Sequence, residues 1–296
     1  MTHEITPESP VVEGFFDPAT HTVTYLVSDP ATRQAAIIDP VLDYDPAAAR
    51  TSTRSIDAVM AALKNQGLTL AMVLETHAHA DHLTAAHHLR ETEGAPIGIG
   101  QKIVRVQTTF APMFQADDVT PDGAAFDRLY ADGDTFALGD LTVEVMHTPG
   151  HTPACVSYRI ADAVFVGDTL FMPDYGTART DFPGGDARTL YRSIHRLLAL
   201  PEETRMFVGH DYLPQGRTEF CFETTVGQQK AANIHVGRGA SEDVFVAMRE
   251  TRDATLGAPQ LILPSLQVNI RAGALPPPDA SGRRSLVLPL NVLGAA

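Results

Sequence analysis

The 296-residue chain has only two cysteines, Cys155 and Cys221, and it has no tryptophan. Neither cysteine lies in a paired-thiol motif, which excludes a disulfide-based framework. Basic residues are also few, with 22 Lys and Arg against 36 Asp and Glu and a formal net charge of -14. Binding to a nucleic-acid backbone needs clustered cations, so we expect no nucleic-acid partner.

Long apolar runs are absent as well. No window approaches the roughly 18 apolar residues of a membrane span, so we expect no membrane association. The first ten residues, MTHEITPESP, lack the basic and apolar segments of a secretory signal, which predicts a cytoplasmic protein. With 44% hydrophobic residues the chain can bury a large core. We expect a single domain over residues 1–296, with residues 213–296 as a C-terminal extension packed on it.

Apolar periodicity predicts a mixture of strands and helices. Residues 21–27 and 35–39 are typical of a β-hairpin, and residues 55–66 have apolar side chains at helical spacing. Short strands follow from residue 135 onward, and a helix begins near Asp186, whereas residues 94–123 resemble a loop. Polar clusters stand at the ends of strands. We therefore expect an α/β fold in which two mixed sheets pack together, with outer helices and a site along one rim.

Four segments carry potential metal ligands. Residues 76–82 read THAHADH, and TPGHT, VFVGDT and FVGHDY follow at residues 148–152, 164–169 and 207–212. Imidazole and carboxylate groups without a nearby thiolate suit zinc, iron or manganese. The set can hold one metal ion or two. Its members are His77, His79, Asp81, His82, His151, Asp168 and His210.

These motifs resemble those of the metallo-β-lactamase superfamily, and the resemblance covers roughly residues 12 to 215. It implies a metallo-β-lactamase αββα sandwich in which these side chains surround the metal. It does not choose an activity, because members of the superfamily cleave lactams, thioesters, phosphodiesters and lactones, and some are redox proteins.

Narrower motifs are similar to those of the persulfide dioxygenases, the ethylmalonic-encephalopathy protein family. They are RTDF at 179–182, DPVLDYD at 39–45, ETHAHADHLTAA at 75–86 and TLYRSIHRLLALP at 189–201. The resemblance implies one Fe(II) per chain, held by His77, His151 and Asp168. Two imidazoles and one carboxylate leave positions open for a persulfide sulfur and dioxygen. The resemblance also implies that five further side chains orient the ligands: His79, Asp81, His82, His210 and Asp181.

The implied reaction converts glutathione persulfide, dioxygen and water into glutathione and sulfite. Tyr212 and Arg179 would be the catalytic and substrate-binding side chains that line the glutathione channel, although Arg179 can instead form a loop-stabilising ion pair with Asp181. Arg217 and Lys230 are candidates for binding the glutathione carboxylates, or they are solvated surface residues. By family likeness alone, a homodimer is a further expectation.

Two rival activities remain open. A glyoxalase II-type thioester hydrolase would use the whole ligand set for two zinc ions bridged by Asp168. The RTDF loop and the lack of an RxxK glutathione clamp favour the dioxygenase, but residues 176–178 read Gly-Thr-Ala where many dioxygenases have Gly-Cys-Gly. A binding module without catalysis would usually have lost a ligand, and none is missing.

Overall fold

The computed structural model describes residues 9–292. Residues 1–8 and 293–296 lie outside the described residues. They include most of the N-terminal segment on which the secretory-signal expectation rested, and they include both ends of the predicted domain. Within residues 9–292, no helix has the length and apolar character needed to cross a membrane.

The described chain alternates short strands and helices. The strands are β1 (Val11–Asp17), β2 (Thr22–Ser28), β3 (Gln34–Ile38), β4 (Val41–Asp45), β5 (Arg50–Ser52), β6 (Thr69–Glu75), β7 (Leu83–Thr84), β8 (Ile97–Gly100), β9 (Arg128–Tyr130), β10 (Thr135–Leu138), β11 (Leu141–His147), β12 (Val156–Ile160), β13 (Ala163–Phe165), β14 (Arg205–Phe207) and β15 (Glu223–Thr225). The helices are α1 (Arg54–Asn65), α2 (Ala86–Glu93), α3 (Ile103–Met113), α4 (Ala187–Leu198), α5 (Val226–Ala232), α6 (Glu242–Asp253) and α7 (Ile262–Asn269).

The first sheet has the strand order β1-β2-β3-β6-β8-β9. Strands β2 and β3 pair antiparallel, which confirms the predicted hairpin. Strands β3, β6, β8 and β9 run parallel, and the chain segments that connect them contain α1, α2 and α3. The loop predicted for residues 94–123 is wrong, because this segment contains β8 and α3. Its glycines serve close packing: a Cβ on Gly98 would lie 2.6 Å from the Tyr130 ring, and one on Gly100 would lie 2.6 Å from Val156.

The second sheet has the order β10-β11-β12-β13-β14-β15 and packs face to face on the first. Side chains on alternate positions of a strand point to opposite faces. Accordingly Tyr25 lies in the core between the sheets with Phe165 and Phe207, whereas Leu26 points outward beneath the helices. A third, small sheet has the order β5-β4-β7.

Helices cover both outer faces of the sandwich. Helix α4 begins at the N-cap Asp186, whose side chain accepts a hydrogen bond from the Thr189 amide. Its Leu190, Ile194 and Leu197 are fully buried against the second sheet, and burial of such a side chain stabilises the fold by roughly 1.5–3 kcal/mol. Helices α5 and α6 add to this layer, and α7 packs with α1, α2 and α3 on the other face. The expected αββα sandwich is confirmed.

Candidate metal centre

The ends of four strands bring the ligand segments together. THAHADH follows β6, TPGHT follows β11, the 3₁₀ turn Gly167–Thr169 follows β13, and His210 follows β14. Because β13 and β14 are parallel neighbours, their carboxyl ends meet at one edge. Gly167 has a φ of +49°, and a Cβ there would lie 2.5 Å from Thr76 Oγ1. Only glycine therefore allows the turn of the second sheet to approach the turn of the first so closely.

His77, His151 and Asp168 converge on one point. Asp168 Oδ2 lies 3.9 Å from His77 Nε2 and 3.6 Å from His151 Nε2. The ligand atoms of the three side chains all lie within 4.8 Å of one another, and all three residues are buried. This is the set that the dioxygenase resemblance implies.

Hydrogen bonds at the opposite ring nitrogens fix the orientation of these imidazoles. His77 Nδ1 lies 3.0 Å from Thr76 Oγ1, which itself donates to Asp39 and therefore accepts from His77. His151 Nδ1 donates to the Arg179 carbonyl at 2.8 Å. With the proton on Nδ1, each Nε2 presents its lone pair to the common point.

The residues fit a divalent metal ion. Five buried atoms of the candidate ligands have no hydrogen-bond partner among the described residues: His77 Nε2, His82 Nε2, Asp168 Oδ1 and both ring nitrogens of His79. An unpaired buried polar atom costs about 1–3 kcal/mol, and a metal ion held by His77, His151 and Asp168 would remove this cost for His77 Nε2. Two nitrogen donors and one oxygen donor suit iron, zinc or manganese.

Burial and neighbouring charges prepare the groups for binding. Burial lowers the pKa of His77 well below its usual value, and the nearby His79 adds to this effect, so the ring is neutral. For Asp168 burial acts in the opposite sense, but His210, His77 and His151 together lower its pKa below the usual range. Burial would lower the pKa of His210, yet Asp168 and Asp81 raise it to about 9.

A second group lies beside the first. Asp81 Oδ2 accepts from His82 Nδ1 at 3.2 Å and lies 3.5 Å from His210 Nε2. His210 Nε2 is also 3.3 Å from Asp168 Oδ1. His79, Asp81 and His82 have ligand atoms within 4.8 Å of one another. The donors that a two-metal centre would need are therefore present.

His79 has contacts of a different kind. Its Nε2 lies 3.0 Å from Asp39 Oδ1 and 3.3 Å from Glu75 Oε2, and neither contact has the alignment of a hydrogen bond. Both carboxylates are buried. Burial would lower the pKa of His79, but Asp39 and Glu75 outweigh it and raise the pKa well above the usual value. The sequence motif contains Glu75, but nothing in the motif indicated this contact.

A model of the metallo-beta-lactamase superfamily matches residues 17–210, which include the whole ligand set. The chain belongs to this superfamily. A Burkholderia pseudomallei protein whose name describes a metallo-hydrolase is 52% identical over 95% of this chain and 99% of its own length. Human mitochondrial persulfide dioxygenase ETHE1 is 31% identical over 90% of each chain. The crystal structure of ETHE1 from Myxococcus xanthus superposes with a TM-score of 0.72 at 33% identity, covering 89% of this chain and 100% of that one.

In this metallo-beta-lactamase sandwich a cavity of about 690 Å³ opens beside the candidate metal ligands. His151, Asp168, Tyr212 and Arg179 are among the residues that line it. The Tyr212 ring stacks on Tyr175 with 4.8 Å between centroids. Burial, with Asp168 and Asp81, raises the pKa of Tyr212 far above its usual value, so its hydroxyl remains a hydrogen-bond donor.

The RTDF segment forms an ion pair within itself. Arg179 donates to Asp181 at 2.6 and 2.5 Å and to the Gly257 carbonyl at 2.8 Å. Asp181 therefore contacts Arg179, and among the described residues no hydrogen bond or ion pair joins it to a proposed ligand. Arg179 also lines a second cavity, of about 640 Å³, which shares His151 with the first. The loop-stabilising alternative for Arg179 thus matches its observed contacts, while its side chain still lies at the cavity wall.

The cations at the cavity differ from those that the sequence indicated. Arg217 pairs with Asp211 and Asp174, and Lys230 lies 3.5 Å from Glu202. Neither lines the two cavities. The larger cavity is lined instead by Arg50 and Arg252, which are exposed and form no ion pair within residues 9–292. No spacing rule would have identified them, because they are separated by some two hundred residues and meet only through the fold.

Proposed function

We propose that this chain is a persulfide dioxygenase. Its substrates would be glutathione persulfide and dioxygen, and its metal would be one Fe(II) held by His77, His151 and Asp168. The observation that carries the proposal is the position of His79, whose Nε2 faces two buried carboxylates. Three protein ligands leave enough of the coordination sphere open for a sulfur atom and dioxygen side by side.

Bound iron would supply the one-electron chemistry that allows dioxygen to react with a persulfide. The protein residues hold the proton positions and the substrate. Thr76 and the Arg179 carbonyl keep the ligand histidines in one tautomer, and Asp168 stays ionised. In the balanced reaction the outer sulfur is oxidised, dioxygen is reduced, and water supplies the third oxygen atom of sulfite.

Substrate binding would use the larger cavity. We assign Tyr212 a hydrogen bond to the glutathione tripeptide, because its hydroxyl keeps its proton and its ring is fixed by stacking. Arg50 and Arg252, free of ion pairs within the described chain, would attract the glutathione carboxylates. Arg179 would act at the cavity wall by fixing the loop that carries the His151 acceptor.

The second candidate is a thioester hydrolase with two zinc ions. The complete ligand set and the metallo-hydrolase name of the 52% identical relative favour it. In that enzyme Asp168 would bridge the two ions, and the cavity would hold the thioester of glutathione. The withdrawal of His79 from the ligand set counts against it.

An oxygen electrode distinguishes the two activities. Protein loaded with Fe(II) is expected to consume dioxygen when glutathione persulfide is added and to release sulfite in equal amount. Protein loaded with zinc is the matched control and is expected to consume none. If S-lactoylglutathione is hydrolysed while glutathione persulfide causes no oxygen uptake with either metal, the dioxygenase proposal is wrong.

A further inference from the structure

Three buried side chains next to the proposed metal ligands form a group of their own, in which an imidazole faces two carboxyl groups. Glu75, Asp39 and His79 are only 2%, 3% and 2% exposed. The His79 imidazole lies between the two carboxylates, with its Nε2 at 3.0 and 3.3 Å from their oxygens. Buried acidic residues are rare unless they are paired, so this group requires an explanation.

Three of the four carboxylate oxygens accept hydrogen bonds from other groups, including Asp39 Oδ1, which also faces His79. Glu75 Oε1 accepts a short hydrogen bond from Thr84 Oγ1. Asp39 accepts from the Thr76 amide at 2.7 Å and from its hydroxyl at 2.8 Å. Glu75 Oε2, in contrast, has no hydrogen-bond partner among the described residues, and it faces the His79 ring. The imidazole is therefore the only counter-group that the described chain offers to this oxygen.

Hydrogen bonds from a distant helix hold the backbone at His79. Asn269 of α7 donates its side-chain amide to the His79 and His82 carbonyls, at 2.8 Å in both cases. The same side chain accepts from the Thr84 amide at 2.9 Å. These hydrogen bonds anchor the THAHADH turn to α7, so a shift of the turn as a unit would break them.

We propose that Glu75, with Asp39, is a positioning residue that holds His79 out of the metal's ligand set. The centre then has three protein ligands rather than four. Rotation of His79 toward His77, His151 and Asp168 would leave Glu75 Oε2 buried without a counter-group, whereas Asp39 would keep its hydrogen bonds from Thr76. A buried carboxylate oxygen without a partner is strongly unfavourable. This inference rests on the proposed function, because it explains how that site keeps its positions open for sulfur and dioxygen.

The first test compares the affinity for Co²⁺ of two histidine variants. His79→Gln is expected to change the affinity less than about 10-fold, whereas His77→Gln should lose more than the roughly 100-fold that a lost hydrogen-bond partner of a ligand can cost. The amide of a glutamine at position 79 can donate a hydrogen bond to Asp39, so we expect the variant to fold. Equal losses in the two variants would show that His79 is a ligand and would overturn the inference.

The second test removes the Glu75 carboxylate, so that His79 can turn toward the metal, and measures the visible absorption of the Co²⁺-loaded protein. Tetrahedral Co²⁺ absorbs several-fold more strongly than six-coordinate Co²⁺. Glu75→Gln, which has nearly the same shape, should increase the absorption because His79 becomes available as a fourth protein ligand. The double variant Glu75→Gln/His79→Gln should return to the wild-type spectrum. A Glu75→Gln spectrum identical to that of the wild type would contradict the role given to Glu75.

These measurements use no persulfide and no oxygen uptake, so they test the positioning role independently of the proposed function. If persulfide is not oxidised but His79→Gln still binds Co²⁺, the activity is wrong and the positioning role stands. If persulfide is oxidised but His79→Gln loses Co²⁺, the activity stands and the positioning role is wrong.

Discussion

Two walls of the metal centre are held in different ways. The ligand rim, which comprises residues 76–82, 148–152, 167–169 and 208–211, stands directly at strand ends. The cover, residues 170–182, has no strand or helix and depends on distant partners. Asp253 of α6 accepts from the Thr180 amide and hydroxyl at 2.8 and 3.0 Å, across 73 residues of sequence. The rim thus stands on strand ends that apolar periodicity can predict, whereas the cover is held by hydrogen bonds to a helix far away in the sequence.

The two walls meet at His151. Its Nε2 belongs to the ligand set, and its Nδ1 donates to the Arg179 carbonyl of the cover. Next to this carbonyl, the buried Arg249–Asp253 pair holds the cover through hydrogen bonds to Thr177 and Thr180. The orientation of a metal ligand therefore depends on α6, which the metal motifs do not include.

The largest expected effect comes from the rim. Asp168→Ala removes the carboxylate that three histidines face, and we expect loss of stoichiometric metal binding and at least about a 1,000-fold loss of kcat/KM. Metal analysis of the purified variant checks this. Asp57→Ala, at an exposed position of α1, is the control and should bind metal as the wild type does. Retention of a full metal complement by Asp168→Ala would contradict the ligand assignment.

A substitution that removes the support of the cover should mainly lower the free energy of unfolding. Asp253→Ala leaves Arg249 buried without its carboxylate, and loss of one partner of such a pair costs about 3–5 kcal/mol of unfolding free energy. Urea denaturation measures this cost. Glu242→Ala on the same helix removes exposed ion pairs and should cost less than about 1 kcal/mol. Similar midpoints for the two variants would mean that the buried pair does not hold the cover.

A change in the cavity wall should separate binding from chemistry. Tyr212→Phe removes a hydroxyl that we assign to the substrate, so KM should rise about fivefold with little change in kcat, because one hydrogen bond contributes about 1 kcal/mol. Steady-state oxygen uptake measures both constants. Tyr191, on α4, donates a hydrogen bond to the Ala240 carbonyl, and Tyr191→Phe should leave KM unchanged. A large loss of kcat alone in Tyr212→Phe would contradict the binding role.

The smallest effects belong to the exposed cations. Arg50→Ala and Arg252→Ala should each raise KM about threefold, because exposed charge pairs contribute at most about 1 kcal/mol. The increase should shrink as salt is added. Lys230→Ala is the comparison, since Lys230 is not among the residues that line the two cavities. A larger rise in KM for Lys230→Ala than for Arg50→Ala would instead support the expectation from the sequence that Lys230 binds a glutathione carboxylate.

The same contrast explains what the sequence could predict. The hairpin and the placing of candidate ligands at strand ends were predictable, because strand periodicity and the turns that follow strands are local properties. The choice of His77, His151 and Asp168 among those candidates came from the family resemblance and stays a prediction. The buried strand β8 was not, since Gly98 and Gly100 are typical of loops and their packing against Tyr130 and Val156 is visible only in the fold. The cavity arginines and the contact of Glu75 with His79 depend on pairing across elements, which spacing does not encode.

X-ray absorption at the iron edge tests the central claim, a single metal with three protein ligands, most directly. The spectrum of Fe(II)-loaded protein should fit two imidazoles and lighter oxygen or nitrogen donors, without a second metal atom. A metal neighbour at about 3.5 Å, the separation in two-metal sites, would contradict the account. A third imidazole on the iron would also contradict it.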